Sequence, residues 1–93
     1  SMNNMFYYMY GLRELDIRNF ETPKLTTMNY MFAYSFYLSS IRMDKASFEN
    51  VTSSSLSFYS LPSGVSIVTR DDTTKEWLQS RISNANIVTV AEL

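Results

Sequence analysis

The chain has 93 residues, enough for one domain with a thin core. Its 8 basic and 9 acidic residues leave a net charge of −1, so no field favours nucleic acid or an anionic membrane. Without Cys or His there is no disulfide framework, no thiolate nucleophile or thiolate-bound metal, and none of the commonest general base, while two Gly cannot build a phosphate-cradling loop.

The elements are written into an internal repeat. At an offset of 26 residues, Met2 matches Met28, Asn3 matches Asn29, Met5 matches Met31 and Phe6 matches Phe32. The register continues through Leu12 and Leu38, Leu15 and Ile41, Ile17 and Met43, Leu25 and Val51, and Thr26 and Thr52. Leu12-x-x-Leu15-x-Ile17 and Leu38-x-x-Ile41-x-Met43 predict short strands with alternate residues turned inward. Asn19-Phe20-Glu21-Thr22-Pro23 predicts a turn, with Pro23 barring helix before it. Leu25, Met28, Met31 and Phe32 then recur at helical spacing behind Thr26, an expected N-cap, as Thr52 is in the next unit.

A third pass begins with Phe58 against Phe32, and Leu61-Pro62-Ser63-Gly64 reads as a shortening of the unit before Val65. Val65–Thr69 is β-branched and predicts a strand. Thr73 with Glu76 fits a capping box for a helix whose apolar face is Trp77, Leu78 and Ile82. Asp71-Asp72 lacks a calcium loop around it and reads as helix capping. Ser83–Asn86 breaks the helix, and Ile87–Val90 predicts a last strand reached by a right-handed crossover. The expected architecture is α/β. It is a leucine-rich-repeat-like solenoid with short parallel strands on one side and short helices on the other, closed by a strand-helix-strand cap. Residues 1–61 hold two full repeats and the start of a truncated third, and residues 62–93 form the cap, all in one structural domain.

Met28-Asn29-Tyr30-Met31-Phe32 and its copy Met2-Asn3-Asn4-Met5-Phe6 resemble the Met-x-x-Met-Phe signature of BspA-like leucine-rich repeats. The run from Leu12-x-x-Leu15-Asp16-Ile17 through Phe20-Glu21-Thr22 to Thr26-Thr27-Met28 is similar to that family's Leu-Asp-Leu-Ser-Asn-Phe-Asp-Thr-Ser-x-Val-Thr-x-Met stretch. The chain departs from the family in having Met9 and Ser35 where Cys is frequent, and in its low repeat number. The resemblance implies a bacterial cell-surface or secreted protein. Some members of the family are adhesins that bind host matrix proteins or cells. It further implies that the chain is the C-terminal end of a longer array. Ser1 ahead of Met2 reads as an expression scar.

Between the inward strand residues lie Glu14, Asp16 and Arg18 in the first unit and Ser40, Arg42 and Asp44 in the second. In-register stacking sets Asp16 beside Arg42 and Arg18 beside Asp44, a charge ladder across neighbouring strands. These six residues form the expected binding face. Tyr7, Tyr8, Tyr10, Tyr30, Tyr34, Tyr37 and Tyr59 are expected around the helices, packed between repeats. Asn50-Val51-Thr52 matches a glycosylation sequon, with Thr52 better placed as a cap.

The functional expectation is a non-catalytic module for protein binding or adhesion, with a host or cell-surface protein as partner. No cofactor, metal, nucleic acid or membrane insertion is expected. The alternative is a structural spacer or end cap of an array, and a glycosidase-type enzyme using Glu14 or Asp44 is the remote one. The open edge of the first strand is expected to favour self-association.

Overall fold

The computed structural model describes residues 1–9 and 11–93; Tyr10, grouped above with the other tyrosines, lies outside the described residues. Four short strands, β1 (Glu14–Asp16), β2 (Ser40–Met43), β3 (Ser66–Thr69) and β4 (Asn86–Thr89), form one all-parallel sheet in the order β1-β2-β3-β4. One α-helix, α1 (Asp72–Gln79), connects β3 to β4, and a 3-10 turn at Val90–Glu92 follows. The fold class is α/β. Among the described residues no helix is long and apolar enough to cross a membrane.

Strand register obeys the repeat. Leu15 pairs with Ile41 and Ile41 with Ile67, each 26 residues on. The third unit is therefore full length up to β3, correcting the shortening expected at Leu61–Gly64. The offset drops one element later, from 26 (Ser40 to Ser66) to 20 (Ser66 to Asn86). Gly64, at φ 81°, fits a turn that most residues enter only with strain, and Val65 closes it by donating to the Pro62 carbonyl at 3.2 Å.

The helices expected between the first strands do not form. In their place runs of turns occupy 3–8, 29–34 and 55–60, again 26 apart. Within the second run, Met31, Ala33 and Ser35 donate to carbonyls three residues back. The amides between them go sideways instead: Met28, Tyr30, Phe32 and Tyr34 donate to the carbonyls of Ser53, Ser55, Ser57 and Tyr59 at 2.8–3.1 Å. The first run does the same to the second, from Met2, Asn4, Phe6 and Tyr8 to Thr27, Asn29, Met31 and Ala33. An α-helix would direct all these amides along its own axis. Residues four apart at positive φ (Asn4 and Tyr8, Tyr30 and Tyr34, Leu56 and Ser60) hold the alternation open. Thr26 and Thr52 therefore cap no helix; Thr52 instead donates from its amide to the Thr26 carbonyl at 2.9 Å.

The spacing of Met28, Met31 and Phe32 still marks the buried side, since all three are buried with Leu38, Ile41, Met43 and Ile67 in one cluster. Phe6, Phe32 and Phe58 stack as a ladder with 5.6 Å between successive rings. Trp77 of α1 stacks on Phe48 at 4.5 Å and meets Phe58 edge-on, closing the end of the core. The N-cap of α1 is Asp71, whose carboxylate accepts from the Thr74 amide at 2.9 Å and from its hydroxyl at 2.7 Å. That bears out capping at Asp71 and displaces the box expected at Thr73.

Candidate functional site

The sheet leaves Glu14, Asp16, Ser40 and Arg42 on its outer side, with Arg18 and Asp44 just past the strand ends. All six expected residues thus share one face. Asp16 pairs in register with Arg42, as the repeat requires. The ion pairs, however, run along each strand. Arg18 grips Asp16, Nη2 to Oδ2 at 2.7 Å and Nε to Oδ1 at 2.9 Å, and Arg42 grips Asp44 at 2.6 and 3.0 Å. Residues two apart on a strand share a face, and the planar fork of Arg fits a carboxylate bidentately at that distance. The contacts expected across strands are replaced by these, and what remains between units is Coulombic.

Charge order reverses from Asp-x-Arg in β1 to Arg-x-Asp in β2, so unlike charges still neighbour each other. Arg18 holds the Asp16 carboxyl down at about 2, first through its side-chain bonds and then through its amide. Arg42 lowers Asp44 through its side-chain bonds. Both aspartates sit below their ordinary values, each gripped by the arginine two residues away. Among the described residues, no group of three or more acidic side chains converges as a metal site would require.

A second face is made by the turn runs. Residues 1–12, 25–41 and 50–69 carry no charged side chain, and the fold lays these three stretches side by side. Tyr34 is the centre of a ring cluster. Tyr8 stacks on it at 4.7 Å, while Tyr7 and Tyr59 meet it edge-on at 5.6 and 5.3 Å. The tyrosines do pack between units as expected, though on turns and not helices. They are also far from hidden: Tyr7, Tyr8, Tyr30, Tyr59, Phe36, Met5, Met9 and Leu56 are all exposed. Burial, with the neighbouring phenols, pushes the Tyr34 hydroxyl above its ordinary value, so Tyr34 is neutral at physiological pH. Tyr8 lies nearly parallel to Tyr34 while Tyr7 and Tyr59 meet it at steep angles, so the cluster makes no single flat platform.

Three of the surface cavities bear on the site. One of about 490 Å³ at the strands' carboxyl ends is lined by Glu21, Pro23, Asp44, Lys45, Ser47 and Arg70. Another of about 190 Å³ shares Ser47 and Arg70 with it and reaches Trp77. The third, about 310 Å³, lies against the last turn run and is lined by Ser54, Leu56, Ser57, Phe58, Tyr59 and Arg81. Sequence reasoning missed this last group, because its polar groups are mostly backbone amides that carry no residue signature.

No protein-family model matches the chain, and neither a curated protein nor a solved structure is similar to it.

Proposed function

We propose that this chain is a non-catalytic, protein-binding repeat module: a leucine-rich-repeat-like solenoid of 26-residue units, part of a bacterial cell-surface or secreted protein of the BspA-like kind. The observation that carries the reading is the pairing of two unlike faces. The sheet face pairs Asp16 with Arg18 and Asp44 with Arg42, whereas the turn face presents uncharged, exposed aromatic and Met side chains on a hydrogen-bonded ladder. Contiguous exposed apolar surface of this sort marks interaction sites, and Tyr is favoured there for its large area and low rotamer entropy. The partner is a host or cell-surface protein, engaged by the turn face first and by the charged sheet face second.

Self-pairing on the sheet also favours a second reading, a spacer that presents other repeats. Saturable binding to an immobilised extracellular-matrix protein or to epithelial cells separates the two. The module reading expects binding that Tyr59→Ser weakens at least tenfold, with Arg42→Glu as the control for the sheet face. Absence of saturable binding supports the spacer. Self-association through the open edge of β1 is only a secondary part of the proposal, because that strand has three residues and displays Glu14 and Asp16, features that blunt an edge.

A further inference from the structure

The sideways ladder ends abruptly. Ser54, Leu56, Phe58 and Ser60 stand where Met28, Tyr30, Phe32 and Tyr34 stand one unit earlier, so their amides point away from the second run. Their acceptors would lie in a fourth run, but the step from β3 to β4 is six residues short, and α1 with its following loop takes its place. None of these four amides has a protein acceptor among the described residues. On their open side lies the 310 Å³ cavity, and over it Arg81, whose guanidinium rests 3.8 Å from the Trp77 ring centroid and makes no ion pair among the described residues. Its Nε reaches the Ser54 hydroxyl at 3.5 Å.

We infer that this groove binds an extended polypeptide segment from a partner, with an acidic residue at the end that lies over Ser54. The alternate amides are spaced to meet alternate carbonyls, as they do twice already inside the molecule. Arg81 supplies a charge that no lining residue balances. Leu56 and Tyr59 flank the row with exposed apolar surface. A whole second copy does not fit in register, because β4 already occupies the strand position of that layer. The occupant is thus a free segment held by main-chain bonds, the mode in which a peptide extends an exposed ladder. The inference rests on the protein-binding reading only in taking the occupant to be polypeptide.

The test is an NMR titration of the full chain with an eight-residue peptide copying residues 53–60, with aspartate in place of Ser53. Saturable shifts of the Leu56, Phe58 and Ser60 amides are expected, weakened at least tenfold by Arg81→Glu and by lysine at the peptide's first position. Shifts centred on Tyr7 and Tyr30, indifference to Arg81→Glu, or no saturation up to millimolar peptide would overturn it. So would sodium acetate or phosphate alone reproducing the shifts, which would make the groove an anion site. Peptide binding without binding to any matrix protein would sink the adhesion reading and leave this groove standing, and the converse would sink the groove alone.

Discussion

Asp16 lies opposite Arg42 across the first strand pair, yet each is bonded to the residue two positions along its own strand. Exchanging Arg42 and Asp44 in a double variant (Arg42→Asp with Asp44→Arg) keeps the in-strand pair but sets like charges beside Asp16 and Arg18. The thermal midpoint is expected to drop at low salt and to recover in 1 M salt, where the Debye length shrinks to about 3 Å. A midpoint unmoved at low salt would show that the units do not sense each other's charge. Among single changes, Asp44→Asn should lower the urea midpoint more than Asp16→Asn. The Arg42–Asp44 side chains are 31% and 17% exposed, against 49% and 53% for Arg18–Asp16.

Acid should unfold the protein in a defined window. The carboxyls of Asp16, Asp44, Asp71 and Glu92 all sit below their ordinary values in the folded chain. A depressed folded pKa adds stability that is fully present above the unfolded value and is lost as pH falls through the folded one. Stability is therefore expected to hold from pH 7 to 5, begin to fall near pH 4, and keep falling to about pH 2, where Asp16 titrates. With no His in the chain, no step is expected near pH 6.5. Urea midpoints at half-unit pH intervals check this.

Capping predicts a contrast between neighbours. Asp71→Ala should cost about 1 kcal/mol, the usual value of an N-cap, since its carboxylate holds both the amide and the hydroxyl of Thr74. Thr73→Ala should change little. Equal losses at the two sites would return the capping box to Thr73.

How much of this was legible in the sequence differs by residue. The match of Leu15, Ile41 and their neighbours at one offset carried the strand register, because inward side chains must coincide when units stack. Asp71 ahead of an apolar helical face carried the cap. Met28, Met31 and Phe32 marked the buried side correctly but not its backbone, since spacings of three and four suit both a helix and a run of turns. What decides between them is lateral bonding to the next unit, together with positive φ at Tyr30 and Tyr34, and neither is written in residue type. The direction of the Arg18 and Arg42 side chains was equally hidden, because in-strand and cross-strand partners are both within reach. The amide row beside Arg81 has no side-chain signal at all.

Backbone strain offers a stabilising change. Leu56 sits at φ 55°, a region that costs a branched side chain about 1–2 kcal/mol. The equivalent residue of the first unit is Asn4, also at positive φ and of a type that tolerates it. Leu56→Asn is expected to raise stability by about 0.5–1 kcal/mol. A loss would mean that Leu56 packing outweighs the strain.

One buried hydroxyl is a separate weak point. Thr69 Oγ1 is buried with no hydrogen-bond partner among the described residues, between Met43 of β2 and Thr89 of β4 in the register. Thr69→Val keeps the shape and removes the unpaired group, so a gain of about 1 kcal/mol is expected in urea unfolding. No gain would place an ordered water on that hydroxyl.

The turn ladder has a direction. The alternate amides from Met2 to Tyr8 and from Met28 to Tyr34 donate from an earlier unit to a later one, while the Asn29 and Ser55 amides reach back to the Oδ1 of Asn3 and Asn29, so each unit meets its neighbour through complementary donors and acceptors. A unit copied whole, 26 residues at a time, meets the same sockets on both sides, whereas a one-residue slip within a strand turns inward side chains outward. The molecule can thus lengthen by duplication in quantised steps, and its growth is a matter of counting residues and not of redesigning a core.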